Sequence, residues 1–293
     1  MVIRRNDGLA LLEQNLRKLG QMEKEVHEIC FTSTSVDPAA NMELVGETAK
    51  ALTRIFEETN WDVRILSKSN MLPKLAETVP KKFRQRMIFG VSTGTLDDNL
   101  GRAIERGTPL VSKRIQSLHW LQDHGFRTYG MICPSLPQPD YDEFSRSTCE
   151  AIRVDCCEHV WAEPINTRGK SFPATVNTLK AAGFDTEASA LERVCGHGSK
   201  VVWDDYAKAT FLAHTKNIPP SKLRFLHYPT KSSFGWWQEQ IGKGAVLLGK
   251  VAQLPHALPA AVPIRDMLPR SRKSRDSTAG LGDGAPARSS RRE

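Results

Sequence analysis

Five short β-rich runs alternate with amphipathic helical segments along the first 165 residues, and this alternation narrows the possible folds more than any other feature. The β-rich runs are residues 28–34, 63–68, 87–93, 127–134 and 159–164. The segments between them place aliphatic residues three or four positions apart, as amphipathic helices do. Parallel strands are joined through helices, so the sequence predicts an α/β protein whose parallel sheet is either open or closed into a barrel.

Helices are predicted along most of the chain, but the regular alternation fades after residue 165. The predicted helices cover residues 7–20, 42–58, 96–106, 110–123, 140–153, 172–182, 187–195 and 203–216. Residues 223–228 are compatible with one further strand. From Leu254 the chain is rich in Pro, Ala, Ser, Gly and Arg without periodicity, and residues 266–293 are predicted to be disordered.

Polar side chains are predicted to gather on one face of the sheet. Successive strand residues point to opposite faces, and the aliphatic residues of each run suit the helix-facing side. The residues that remain for the other face at the carboxyl ends of four strands are Lys68, Ser92, Cys133 and Glu163. A doubly wound sheet is apolar on both faces, so this polarity favours a barrel that receives a ligand at its carboxyl edge. The alternative is that polarity simply begins where strands end.

Glycines give a second indication in the third run. Gly90 lies within the run and Gly94 follows it, which predicts the close approach of a ligand or of a neighbouring backbone. The sequence contains neither a GxGxxG nor a GxxxxGK[ST] motif, so dinucleotide and P-loop sites have no support.

Charge, hydropathy and cysteine content bear on whether the chain is a nucleic-acid-binding, membrane, secreted or metal-binding protein. Half of the net charge of +8 lies in residues 265–293, which hold eight basic and four acidic residues, so charge alone does not indicate nucleic-acid binding. No apolar stretch approaches the roughly 18 residues of a membrane span. The N-terminal segment lacks the apolar core of a signal peptide, which predicts a cytoplasmic protein with reduced thiols. Cys195-x-His197 would fit one edge of a metal site or a glycine-flanked turn.

Several segments taken together resemble one family. They are SVDP at 35–38, RILSKS at 64–69, FGVSTGTLDDNLGRAIERGTPLVSKRIQSLHWLQDHGFRTYGMICPSLP at 89–137 and AEPINTRG at 162–169. Their order and content resemble the spore photoproduct lyase-like branch of the radical S-adenosylmethionine (SAM) superfamily, over about residues 2–185. The resemblance implies a partial (β/α)6 barrel of the TIM type that lacks its first strand here. It is followed by a helical C-terminal extension over 186–253 and by a linker and disordered basic tail over 254–293.

The resemblance also implies cofactors and an activity. The family binds SAM and a [4Fe–4S] cluster, generates a 5′-deoxyadenosyl radical, and includes lyases that repair DNA, so a nucleic-acid substrate is expected. Its cluster is held by Cys-x3-Cys-x2-Cys, a spacing that does not occur in this sequence. The chain is therefore interpreted either as truncated at its N-terminus or as a degenerate paralogue.

The family's functional positions transfer to named residues of this chain. Lys68 matches a lysine that approaches the carboxylate or ribose of SAM, Ser92 matches a serine that bonds SAM, and Cys133 lies where backbone groups meet the adenine. Glu105 and Arg114 match the Glu-Pro-Gly and Lys-Arg-Ile positions of the cofactor site, although Arg106 replaces the proline.

Three further positions are expected on the substrate side. Glu163 and Asn166 match the ending Glu-Pro-x-Asn-x-Arg-Gly and are expected to face substrate or ribose. Thr34 stands where spore photoproduct lyases carry the cysteine that returns hydrogen to the product radical. A hydroxyl is a poor hydrogen-atom donor, which argues against repair of spore photoproduct itself. Cys30, on the same predicted face, lies roughly 13 Å deeper.

Two other functions fit parts of the sequence. A non-catalytic module that binds nucleic acid or protein would use the aromatic residues of FLHYPTKSSFGWW at 225–237, such as Trp236 and Trp237, to stack on bases, although such a run is also typical of a buried cap. A lyase or aldolase would use Lys68 as an amine nucleophile.

Overall fold

The fold is built around one parallel sheet. A computed structural model of the chain describes residues 7–25, 28–31, 36–165, 171–196, 200–227 and 229–248. The strands are β1 (Glu28–Phe31), β2 (Asp62–Ser67), β3 (Met87–Thr93), β4 (Arg127–Ser135), β5 (Val160–Pro164), β6 (Leu223–Leu226) and β7 (Leu247–Leu248). All six neighbouring pairs run parallel, and their order in the sheet is their order in the chain. The sheet curls into a half-barrel, which confirms the predicted parallel α/β class.

Helices connect the strands and cover the convex face of the sheet. They are α1 (Gly8–Arg17), α2 (Met42–Glu58), α3 (Leu72–Thr78), α4 (Asp98–Ile104), α5 (Val111–Asp123), α6 (Tyr141–Ala151), α7 (Ser171–Ala181), α8 (Asp185–Cys195), α9 (Lys200–Asn217) and α10 (Phe234–Gly242). Asn41, Asp97 and Asp140 cap the first turns of α2, α4 and α6 by accepting backbone N–H bonds. None of the helices formed by the described residues is long and apolar enough to cross a membrane.

The helix-facing side of the sheet forms the main core. Val63, Ile65, Phe89, Val91 and Val160 are fully buried there, and residues from the covering helices pack against them. These are the positions that strand parity assigns to the helices, so the predicted division of the sheet into two faces is confirmed. The other face carries the polar residues together with apolar ones such as Ile88, which is also fully buried.

The structure adds elements that the periodicity does not predict. Helix α3 has only seven residues and carries Pro73 in its first turn, so its pattern is too short to recognise. Strand β7 has two residues. Because β6 and β7 extend the sheet, residues 186–253 contain strands as well as the expected helices. The predicted disordered tail lies outside the described residues.

Helix α9 is tied to the carboxyl ends of β4 and β5. The hydroxyl of Tyr206 donates a hydrogen bond to the carbonyl of Ser135 and accepts one from the backbone N–H of Ile165 at 2.7 Å. The indole Nε1 of Trp203 donates to the carbonyl of Ile165 at 3.2 Å. Since Tyr206 is buried, these bonds replace water for backbone groups that would otherwise be unsatisfied. The helix therefore holds in place the edge at which the polar residues lie.

Replacement of Tyr206 with phenylalanine should lower the free energy of unfolding by about 1–3 kcal/mol, because it leaves two buried backbone groups without their partner. Urea denaturation followed by circular dichroism measures the change. The half-buried Tyr141 on α6 is the matched control, and Tyr141→Phe should cost below about 1 kcal/mol. Equal losses in both variants would show that the Tyr206 hydroxyl does not anchor the strands.

An aromatic cluster joins β6 to α9 and α10. Trp237 is fully buried, stacks on Phe225 with the ring centroids 5.8 Å apart, and meets Phe211 edge to face at 5.3 Å. Trp236 is half-buried beside it. The prediction that Trp237 stacks on bases is therefore wrong, because its ring is enclosed by other side chains. The segment forms a buried cap.

Candidate functional site

Four strands bring their terminal side chains to one edge of the sheet. Ser92 Oγ on β3 donates to the carbonyl of Cys133 on β4 at 3.1 Å, and Cys133 Sγ donates to Glu163 Oε2 on β5 at 3.0 Å. Lys68 follows β2, and its Nζ lies 2.5 Å from Oε1 of Glu105, which follows α4. We call Lys68, Ser92, Glu105, Cys133 and Glu163 the edge cluster. The structure brings Lys68, Ser92, Cys133 and Glu163 together at the carboxyl ends of the strands, as strand parity predicts, and Glu105 joins them from the end of α4.

Glu105 is shared between two cations. Its Oε1 pairs with Lys68, and its Oε2 lies 2.5 Å from Nη1 of Arg114 on α5. The exposed fraction of the side chain falls from 35% for Lys68 to 13% for Glu105 and 1% for Arg114. The chain of charges therefore runs from the solvent-facing edge into the protein, and Lys68 is the member that a ligand can reach.

Arg114 acts on the site through Glu105. Its guanidinium donates to the carbonyls of Pro109 at 2.9 Å and Ser92 at 3.2 Å, and to Thr108 Oγ1 at 2.5 Å. These bonds fasten the loop between α4 and α5 to the end of β3. Because Arg114 is enclosed and its donors have internal partners, the structure gives it a positioning role and not the direct cofactor contact that the resemblance implies.

The backbone at Lys68 is held by Asp37. Asp37 Oδ2 accepts from the N–H of Lys68 at 2.7 Å, while its Oδ1 accepts from Ser67 Oγ at 2.7 Å and from the N–H of Ala39 at 2.9 Å. Ser67 Oγ in turn accepts from the N–H of Ser69 at 2.8 Å. In the sequence, Asp37 stands out only as part of the SVDP segment. The Asp-Pro-Ala turn at 37–39 is the signal that indicates its role.

The thiol and carboxyl of the edge cluster are poorly solvated. Burial and the neighbouring Glu163 carboxylate raise the pKa of the Cys133 thiol well above its usual range, so it stays protonated near neutral pH. Burial also raises the pKa of Glu163, and the hydrogen bond from Cys133 partly offsets that shift. A protonated thiol is a weak nucleophile, so Cys133 is suited to contact and hydrogen bonding.

The two glycines make room for neighbouring protein atoms. A side chain at Gly90 would collide with the ring of Tyr129 on β4, and one at Gly94 would collide with the carbonyl oxygen of Pro134. The sequence predicts that either a ligand or a neighbouring backbone approaches these glycines. Among the described residues, atoms of the Tyr129 ring and of the Pro134 backbone occupy the space.

A buried arginine fills the amino-terminal half of the concave face. Arg64 on β2 donates to both carboxylate oxygens of Glu28 and to His159 Nδ1 at 2.9 Å, and its guanidinium lies 5.1 Å from the centre of the Tyr129 ring. Desolvation and the Arg64 charge lower the pKa of His159. Strand parity puts Arg64 on this face, but no motif of the sequence distinguishes it as a site residue. This packing lies towards the amino ends of the strands, away from the edge cluster.

Other predicted positions lie outside the described residues. These are Thr34, Asn166 and His197. The side chain of Cys30 is also outside them. The structure therefore does not bear on the predicted substrate side of Thr34 and Asn166.

The described residues do not fit a [4Fe–4S] cluster. Free cysteines lie on β4 (Cys133), on α6 (Cys149), near the short helix after it (Cys156 and Cys157) and at the end of α8 (Cys195). Within the described part of the chain, no three His, Cys, Asp or Glu side chains are grouped so that they could hold a metal ion. The edge cluster instead offers an ammonium, a hydroxyl and a carboxylate, which fit an organic ligand that carries both charges.

Comparisons with known proteins add no family assignment. No protein-family model matches the chain, and no curated protein sequence shows a significant match.

Proposed function

We propose that the chain is a barrel of the spore photoproduct lyase-like branch of the radical SAM superfamily, and that its carboxyl edge binds SAM. One observation carries the proposal. Lys68, Ser92, Cys133 and Glu163 lie at the carboxyl ends of four successive strands, where Ser92 contacts Cys133, Cys133 contacts Glu163, and Lys68 pairs with Glu105. Ligands of parallel α/β barrels bind at this edge.

Each member of the edge cluster has a part in the proposed binding. The Lys68 ammonium is partly exposed, and it pairs with the ligand carboxylate while Glu105 keeps it oriented. Ser92 and Cys133 lie between Lys68 and Glu163 and form the floor under the ligand. The half-buried Glu163 faces the opposite end. This arrangement binds a ligand with separated charges and holds it across the strand ends.

The chemistry that SAM would supply, if a cluster reduced it, is hydrogen-atom abstraction by its 5′-deoxyadenosyl radical. The family's radical reaction on a nucleic-acid substrate needs a cluster. The described residues offer no fitting ligands for one. We derive no radical step for this chain, and ligand binding is the activity that we propose for it. Lys68 is paired with Glu105. Among the described residues, no feature of this edge favours Lys68 as an amine nucleophile over Lys68 as the partner of a ligand carboxylate.

Isothermal titration of the purified chain with SAM tests the proposal. We expect Lys68→Ala to weaken binding by about tenfold, because a hydrogen bond to a charged group contributes about 1.5–3 kcal/mol and tenfold corresponds to about 1.4 kcal/mol. The matched control is Lys74→Ala on α3, since Lys74 is exposed and pairs only with Glu77 at 3.0 Å among the described residues. Absence of SAM binding by the unmodified chain would refute the proposal, and so would equal weakening by both substitutions.

A further inference from the structure

Among the described residues, no cation pairs with the carboxylate of Glu163. It lies on the concave face at the end of β5, and its hydrogen-bond partner among the described residues is the thiol of Cys133 at 3.0 Å. No Lys, Arg or His side chain of the described residues lies within ion-pair distance of it. A thiol is a weak donor, so this bond replaces little of the hydration that the half-buried carboxylate loses.

The other carboxylates on the concave face are all paired. Glu105 has both Lys68 and Arg114. Glu28 pairs with Arg64, and Asp62 pairs with Arg127 at 2.5 Å. A buried or half-buried carboxylate normally finds a cation or takes up a proton. Among the described residues Glu163 is therefore the exception on this face, and it lies at the same edge as Lys68.

The edge cluster thus presents two opposite charges. Lys68 stands at the β2 end and Glu163 at the β5 end, while Ser92 and Cys133 occupy the two strands between them. Glu105 already balances Lys68, whereas nothing in the described residues balances Glu163. An added molecule that carries positive charge would gain most at Glu163, because there it would replace missing hydration with an ion pair.

We propose that Glu163 recognises a positively charged ammonium or sulfonium group of the ligand and so determines specificity at this edge. The inference rests on the proposed binding of an adenosyl ligand and names the group that distinguishes one such ligand from another. The ligand lies across Ser92 and Cys133 with its cationic part at β5.

Three probes separate the possible sources of positive charge. SAM carries a sulfonium and an ammonium, S-adenosylhomocysteine keeps only the ammonium, and 5′-methylthioadenosine has neither. If Glu163 pairs with the sulfonium, Glu163→Gln should weaken only SAM, by about tenfold. If it pairs with the ammonium, the substitution should weaken SAM and S-adenosylhomocysteine alike. In both cases the affinity for 5′-methylthioadenosine should stay the same.

The matched control is Glu150→Gln, since Glu150 is an exposed carboxylate on α6 that pairs with Arg146. It should change none of the three affinities. Glu163→Gln with unaltered affinities, or with equal losses for all three probes, would overturn the inference. Failure of the unmodified chain to bind any probe would instead overturn the proposed function.

A second measurement needs no variant. Burial raises the pKa of Glu163, so on acidification it should take up a proton earlier than an ordinary carboxyl, and SAM binding should weaken more than binding of 5′-methylthioadenosine. Among the described residues, the charged and titratable groups around it are Cys133, which stays a thiol, and Lys68, Glu105 and Tyr206, which interact with Cys133. A pH dependence that is identical for the two probes would contradict cation recognition by Glu163.

Discussion

Replacement of Arg114 with methionine should lower the free energy of unfolding by about 3–5 kcal/mol. The substitution removes the buried partner of Glu105 and leaves the carbonyls of Ser92 and Pro109 without their donor. Methionine fills much of the space but cannot hydrogen-bond as a donor, so the loss comes from unpaired polar groups more than from a cavity. Urea denaturation at neutral pH gives the value.

Arg146→Met is the matched control for this loss. Arg146 also contacts two carboxylates, Glu143 and Glu150, but its side chain is 54% exposed. Exposed ion pairs contribute roughly 0–1 kcal/mol, so the control should fall in that range. Similar losses in the two variants would show that the Arg114 network does not support the loop. We also expect Arg114→Met to weaken SAM binding, since Glu105 would no longer be held.

The second large effect is a loss of stability in mild acid. Burial lowers the pKa of His214 and His227 to about 4 each. His214 is enclosed between α6 and α9 beside Ser145 Oγ at 3.0 Å, and His227 stacks on Trp203 at 5.2 Å and contacts Trp237 at 4.2 Å. An unfolded histidine has a pKa near 6.5.

The sign follows from these two values. Between about pH 6.5 and pH 4 the unfolded chain binds protons that the folded chain does not, so stability is constant above this window and falls as the pH drops through it. Each histidine should cost about 3 kcal/mol by pH 4, from 1.36 kcal/mol per unit of pKa. Urea denaturation in steps from pH 7.5 to pH 4.5 measures the slope.

Substitution of either histidine should flatten that slope. His214→Gln and His227→Gln remove the titrating group, whereas His124→Gln, at the exposed end of α5, should leave the slope unchanged. A slope that is the same in all three variants would mean that the acid loss comes from other groups.

Periodicity predicts the parts of the fold that depend on local pattern. The strands and most helices follow from it, and alternation puts Val63 and Ile65 on the helix side and Lys68 on the other. Parallel strands end at one edge, so the meeting of Ser92, Cys133 and Glu163 also follows from the sequence.

Long-range contacts decide what the pattern leaves open. The burial of Arg114 depends on how the loop after α4 folds back, and the anchoring by Tyr206 joins residues 71 positions apart. The enclosed position of Trp237 depends on α9 and β6. The pattern of a single sequence does not encode such pairings. Strand β7 has only two residues, which is too short for a recognisable strand pattern.

The order of the strands has a consequence for biosynthesis. Each strand pairs only with the strands made just before and just after it, so the sheet can assemble in the sequence in which the ribosome delivers it. The hydrogen bonds of Tyr206 to Ser135 and Ile165 can form only later, when α9 has been synthesised. Until α9 has emerged, the ends of β4 and β5 lack that support, so the edge that carries Cys133 and Glu163 is fixed only after its own strands have been made.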